Sequence, residues 1–454
     1  MIFIITTTII FNLFICGGHS WAVGTEFPCP DDPHLFDPCH CSVVSFDSVN
    51  YYSQITCSGV NGKQIKEAFN RAYHDNNHNH HNISRYYDIL VIKDVGLLNI
   101  CCEDMLEGFR FKTIKITDSK ICVIHANAFT STHSQTSEIV LMDVTFTPNL
   151  VDGVQLFRVV RNFGNLKGFY IITSNLEDVP ANAFNGGSIH SHGSNFGSQL
   201  EVIRICNSKI THLHDYTFTG LPRLVWIDFG DNQINRVTGK TFTLDYHQYT
   251  DAPLEISLSG NRLHSEHIEP GSFDNGNLTR PTTIYLNSNK LSTLSETIFE
   301  PLLRRPNYVI YVESNPFICD CRHRWLFNHK EDNMFHLKEM KCTEDGQTIW
   351  SKNLPNVCDR SRLIVETSPP GVEVFRKCCR KIKYDRDHSA DDHHHETHIH
   401  TAPARQVYYH SPHHQHLQQT RQREYLIIPQ QRPVREYLVQ SEFLEQQQRH
   451  FKSA

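Results

Sequence analysis

The sequence predicts an α/β solenoid in which each repeat adds one short strand to a curved, horseshoe-like parallel β-sheet, and three observations predict it. Asparagines at 232, 261, 289 and 315 each close a block of one design, "LVWIDFGDNQI", "PLEISLSGNRL", "TTIYLNSNKL" and "YVIYVESNPF". Cysteines gather at the two ends of the repetitive stretch. A second apolar position recurs in the return segments, as Phe129, Phe184, Phe218, Phe242, Phe273 and Phe299.

The blocks fit L-x-x-L-x-L-x-x-N-x-L, the leucine-rich repeat. Alternate apolar side chains of its strand point inward, and its Asn hydrogen-bonds backbone left unpaired where the chain turns. Degenerate copies lie at Leu200 to Ile210, Leu166 to Leu176 and Phe111 to Ile121, with Ser208, Ser174 and Ser119 in the Asn place. Weaker copies around Leu141 and Ile92 put Val144 and Val95 there. Successive marks then fall at 95, 119, 144, 174, 208, 232, 261, 289 and 315, in steps of 24 to 34 residues. About nine repeats are expected over 86–314, between caps at 23–58 and 315–358. The intervening 59–85 contains "HDNNHNHHNISRYY", polar and without periodicity, and reads as an inserted exposed loop.

Ahead of the caps, residues 1–22 carry an apolar run from Ile2 to Cys16, followed by small residues. The run is too short to span a bilayer comfortably and reads as a signal peptide, although it lacks the usual preceding Lys or Arg. No later segment has the length and apolarity of a membrane span, so a secreted, extracellular protein is expected. The sequons at Asn82 and Asn277 fit that compartment. A net charge of -6 argues against a nucleic-acid partner.

Of fifteen cysteines, Cys29, Cys39, Cys41 and Cys57 precede the repeats and Cys319, Cys321, Cys342 and Cys358 follow them. A solenoid exposes its apolar core at both ends, and disulfide-linked caps cover such ends in an oxidising compartment. Spacing alone leaves three connectivities open for each set of four. A zinc site is disfavoured by the signal peptide and the absence of C-x-x-C spacing. Cys101 and Cys102 stand one repeat before Cys122, within reach of a bridge between neighbouring coils. Cys206, at an outward strand position, reads as a tolerated free thiol.

With "NPFICDCRHRWL" opening the second cluster and Trp325 three residues beyond its C-x-C, the chain over about 29–358 resembles secreted leucine-rich repeat proteins capped at both ends. The resemblance implies pairs Cys29–Cys41, Cys39–Cys57, Cys319–Cys342 and Cys321–Cys358, and a binding role. The "NAF" at Asn127 and again at Asn182 is similar to arthropod proteins related to the non-catalytic subunit of the decapod shrimp luciferase. That likeness implies partnership with a secreted enzyme, not luminescence. The irregular repeats and the polar tail depart from it.

Solenoids bind rather than catalyse, and the chain carries no G-x-S-x-G, H-E-x-x-H or phosphate-binding glycine loop, so no enzymatic activity and no cofactor are expected. Strand side chains between the inward leucines form rows on the concave face. The position four before each mark gives Val91, Lys115, Val140, Tyr170, Arg204, Asp228, Ser257, Tyr285 and Tyr311, and the position six before adds Trp226. Tyr170, Arg204, Trp226, Asp228 and Tyr285 combine aromatic and charged anchors of the kind enriched at binding hot spots, and form the candidate contact patch for an extracellular protein ligand or a secreted enzyme subunit.

Beyond Cys358 the composition turns to His, Gln, Arg and Pro, too polar to offset chain ordering, so 359–454 reads as a disordered tail. His393, His394, His395, His398 and His400, beside Asp391 and Asp392, offer mixed metal ligands. The alternative function class is therefore a metal-binding or adhesive protein acting through its tail, against a plain reading of polar low complexity. Cys378 and Cys379 offer a disulfide-linked dimer, and "REYLI" at Arg423 recurs as "REYLV" at Arg435.

Overall fold

The structure, a computed structural model, describes residues 29–45, 51–78, 84–181, 183–184, 197, 199–244, 252–275 and 279–358. The expected signal segment, both sequons, Cys378, Cys379 and the 359–454 tail with its histidines lie outside the described residues.

At the amino end, β1 (His40–Ser45) pairs antiparallel with β2 (Tyr51–Ser58), His40 opposite Thr56. Disulfides Cys29–Cys41 and Cys39–Cys57 fasten the preceding turn to this hairpin, the partners that the resemblance implies.

The loop expected over 59–85 gives way to a helix over most of its length. Gly62–His78 is a helix, α1. Its signal is an Asn-x-x-Gln capping box: Asn61 Oδ1 accepts from the Lys63 and Gln64 amides at 3.1 and 3.2 Å, and Gln64 Oε1 accepts from the Asn61 amide at 3.0 Å. Ile65, Ala68, Phe69 and Ala72 follow at helical spacing and are fully buried. In the sequence the polar end of the segment masks this apolar stripe. Phe69 stands 5.5 Å from Phe36, so the helix closes the open amino end of the core together with the cap. A Cβ on Gly62 would lie 2.1 Å from the Asn99 carbonyl oxygen, which fixes glycine at the first turn.

From β2 the sheet continues in parallel through β3 (Tyr86–Lys93). In chain order come β4 (Leu98–Ile100), β5 (Arg110–Thr117), β6 (Lys120–Ile124), β7 (Glu138–Phe146), the helix α2 (Val154–Val160), β8 (Gly168–Ser174) and β9 (Val202–Cys206). Then follow β10 (Trp226–Asp228), β11 (Leu254–Ser257), β12 (Thr282–Tyr285), α3 (Glu296–Leu303) and β13 (Tyr308–Tyr311). The main sheet runs β1-β2-β3-β5-β7-β8-β9-β10-β11-β12-β13 and ends on β14 (Leu337–Lys338); β4 and β6 form a small accessory ladder beside it. This is a leucine-rich repeat solenoid.

Inward positions of each strand, such as Ile203, Ile205, Ile227, Ile256, Ile284 and Ile310, are fully buried and form one continuous core. Behind them the recurrent phenylalanines stack along the array: Phe184 on Phe218 at 6.2 Å, Phe218 on Phe242 at 5.5 Å and Phe242 on Phe273 at 5.8 Å, with interplanar angles of 16° or less. The Asn marks form a second ladder. Asn261 Oδ1 accepts from the Ile234 amide at 2.9 Å, while its Nδ2 donates to the carbonyls of Phe229 at 2.9 Å and Leu258 at 3.0 Å. Asn232, Asn289 and Asn315 repeat the arrangement, each joining its own coil to the preceding one. Ser119 replaces it with one accepted amide, from Val95, and one donation, to Thr117. After Val144 the role passes to Asn175, one residue beyond the expected mark, which accepts from Phe146 N at 2.6 Å and returns a bond to Phe146 O at 2.9 Å.

The expected bridge from Cys101 or Cys102 to Cys122 is not formed. Cys101 is paired with Cys102, and Cys122 is free. Cys122 lies on β6 with its Sγ 3.1 Å from the Leu98 carbonyl oxygen, on the ladder to β4 and therefore short of the turn that carries the other two.

At the carboxyl end, α4 (Lys330–His336) leads into β14, and disulfides Cys319–Cys342 and Cys321–Cys358 hold the cap, again the implied partners. His323 sits fully buried inside it, its Nε2 accepting from the Leu294 amide at 3.1 Å. An acceptor nitrogen requires the neutral ring, and burial lowers the His323 pKa to about 4. An unfolded histidine titrates near 6.5, so between about pH 6.5 and 4 the unfolded chain binds a proton that the folded one does not. The stability held by this residue is complete above pH 6.5 and is lost as pH falls toward 4, to the extent of about 3 kcal/mol. Urea midpoints at pH 7 and pH 4.5 should accordingly differ less in His323→Gln than in the parent. Identical pH slopes would refute the assignment.

Candidate functional site

Strand register brings the predicted row together. Tyr170 on β8 lies opposite Arg204 on β9, Arg204 opposite Asp228 on β10, Asp228 opposite Ser257 on β11, Ser257 opposite Tyr285 on β12, and Tyr285 opposite Tyr311 on β13. Trp226 occupies the parallel row, between Val202 and Glu255. All of these side chains leave the sheet on the face opposite the core, because strand residues alternate between faces.

Local packing sets how each is presented. Tyr170 lies back across Gly168, where a Cβ would stand 2.5 Å from the ring; glycine there lets the phenol lie flat on the sheet. Tyr285 and Tyr311 stack at 5.1 Å with planes 15° apart. The Arg204 guanidinium lies over the Trp226 ring at 5.2 Å.

Asp228 departs from its expected role as a contact anchor. It is buried, only 6% exposed, and takes the Arg204 Nε at 3.0 Å on one oxygen and the Gly230 amide at 3.0 Å on the other. Its charge is consumed inside the sheet surface, so it positions Arg204, and through Arg204 the indole, and is not itself offered to a partner. Tyr170, Trp226, Tyr285 and Tyr311 are each half-buried and offer partly exposed aromatic surface along the row.

Cys206 continues the next row, opposite Ile172, yet is buried, with its Sγ 3.8 Å from the Asp228 carbonyl oxygen. Burial, then the Asp228 charge, push its thiol pKa well up, so it stays a protonated thiol closed to a partner. Toward the amino end the row changes character: Val91 and Val140 are buried, and burial depresses the pKa of Lys115 between them, opposed by Asp118.

A polar depression of about 630 Å³ at the start of β3 and β5 is lined by Tyr73, Arg85, Asp104, Glu107 and Arg110 among others. Its charges are of both signs, and Arg85 lies on the Tyr73 ring at 4.4 Å. It presents no field of one sign, and the aromatic row is the stronger candidate surface. Among the described residues no helix is long and apolar enough to cross a membrane.

Two groups went unnoticed in the sequence. Arg280 is buried and donates to the carbonyls of Ala252 at 2.9 Å and Leu224 at 2.6 Å; a lone basic residue between repeats carried no signal of this. Asp178, His212 and His214 converge from adjacent coils, and only the His-x-His spacing hinted at it.

A family profile described as leucine rich repeat matches residues 198–244. No curated protein matches the sequence. Among solved structures, a chain of the crystal structure of a TLR13–ssRNA13 complex is 18% identical over 57% of this chain and 31% of that one, with a TM-score of 0.39. The protein therefore spans about a third of the length of that chain. A chain of an octameric complex of Latrophilin 3, Unc5D and FLRT2, the last identified by its LRR, is 17% identical over 59% of this chain and 81% of that one, with a TM-score of 0.39.

Proposed function

We propose that this leucine-rich repeat protein is a secreted recognition factor that binds a protein partner across the sheet face carrying Tyr170, Arg204, Trp226, Tyr285 and Tyr311. The observation that carries the reading is the continuous strand register from β8 to β13, which gathers residues scattered over the sequence into two neighbouring rows on one face, Trp226 in one and the others in the next. Large aromatic groups and an arginine, already packed and with few rotamers left to lose, are what a protein interface uses as anchors. The four cap disulfides support an oxidising compartment, since such bonds persist outside the reducing cytosol. The partner is either a free extracellular ligand or a secreted enzyme for which this chain is the non-catalytic subunit.

The test is affinity capture from the native extracellular fluid with the full chain, followed by binding titration of the captured protein. Trp226→Ala combined with Tyr285→Ala should weaken that binding by at least about 2 kcal/mol, roughly thirtyfold. The double variant should keep its circular dichroism spectrum. Unchanged affinity in a folded double variant would remove this face as the binding surface.

A further inference from the structure

In the segments that follow the strands β8 and β9, we infer that Asp178, His212 and His214 form a binding site for a divalent transition metal, with zinc or copper the best match to two imidazoles and a carboxylate. The site is built by the repeat itself. After the mark at Ser208 the chain runs extended, and His212 makes an isolated parallel bridge with Arg236 of the next coil. Leu213 points into the core and is buried, so His212 and His214, one on either side of it, both project outward. The carboxylate comes from the preceding coil, where Val179 is buried and holds Asp178 at the surface.

The geometry suits a metal. His214 Nε2 lies 3.2 and 3.3 Å from the two Asp178 oxygens, His212 Nε2 lies 3.9 Å from Oδ1, and one ligand atom from each of the three residues falls within 4.8 Å of the others. Donors around a tetrahedral zinc, with bonds of about 2.0–2.1 Å, stand about 3.4 Å apart, so small side-chain rotations close the set. The outer contacts also fit. Thr211 Oγ1 engages His212 Nδ1 at 3.0 Å, which leaves Nε2 as the ligating nitrogen, and Thr217 Oγ1 donates to the His214 carbonyl at 2.7 Å, anchoring that backbone. The nearest guanidinium on the bridged strand, that of Arg236, is engaged by Glu269. Three protein donors with His212 half-exposed leave a coordination position open to water or to a donor from another molecule.

Histidine footprinting on the full chain tests this separately from the histidines of the tail. Diethyl pyrocarbonate acylates free imidazole nitrogens, and mass spectrometry reads the modification peptide by peptide. A few equivalents of zinc should protect the peptide holding His212 and His214. Asp178→Asn should raise the zinc concentration needed for that protection at least about tenfold, the lower end of what losing even an outer-sphere contact costs. His212→Ala, a change at a half-exposed position, should do the same to His214 and guards against a folding defect in the Asp178 variant. Acylation of this peptide indifferent to zinc, or protection that survives both substitutions, would overturn the site, whatever zinc the remainder of the chain takes up.

Discussion

Asn261→Ala should cost the fold about 3 to 5 kcal/mol, the largest effect expected of any single substitution on the array. The Ile234 amide loses its acceptor in a buried setting, and an orphaned buried donor alone costs about 1 to 3 kcal/mol. The carbonyls of Phe229, Leu258 and Ser259 each lose one donor but keep another, from Asn232, Asn289 and the Asp231 amide respectively. Those losses add smaller increments of about 0.5 to 1.5 kcal/mol each at most. Urea denaturation gives the measurement. Asn261→Ser, which can accept one amide and donate once as Ser119 does, should recover part of the loss. Equal destabilisation by Ala and Ser would show that the site needs volume rather than hydrogen bonds.

The second large effect falls at Asp228, through charge. Asp228→Ala removes the carboxylate that faces Arg204, whose side chain is 20% exposed, and takes the acceptor from the Gly230 amide. Removing one member of a buried pair costs about 3 to 5 kcal/mol, and the partial exposure of Arg204 places this case at the lower end, about 3 kcal/mol. Replacing the pair by Arg204→Met with Asp228→Leu should be close to neutral, because neither charge is then stranded. A double-mutant cycle in urea decides it. Single and double variants of equal stability would mean that the ion pair contributes nothing to the fold.

These two positions mark what a sequence can and cannot disclose. Asn232, Asn261, Asn289 and Asn315 were legible because a buried amide that both accepts and donates has no substitute of equal capacity, so the residue type itself is the signal. The row from Tyr170 to Tyr311 was legible because counting back from each mark reproduces strand register, a matter of fixed period. Asp228 was misjudged because its burial depends on Arg204 lying over it from the neighbouring strand, at a distance in sequence that pattern does not weigh. α1 was missed for a different reason: Asn61 and Gln64 signalled a helix start, but the His- and Asn-rich end of the segment dominated its composition. Asp178 and His214 are 36 residues apart, and nothing in the intervening chain announces that the coils bring them to 3.2 Å.

The array joins its coils in two ways, and they divide the molecule. β3, β5, β7 and β8 are 7 to 9 residues long, and their coils are held by backbone bonds that depend on no particular side chain. β10 to β13 are 3 or 4 residues long, and there four asparagine side chains add their bonds to a shorter backbone ladder. Genetic robustness is therefore uneven. The amino-terminal coils can drift at the mark, as serine and valine there already attest, whereas the carboxyl-terminal coils carry part of their cohesion in side chains that one substitution removes.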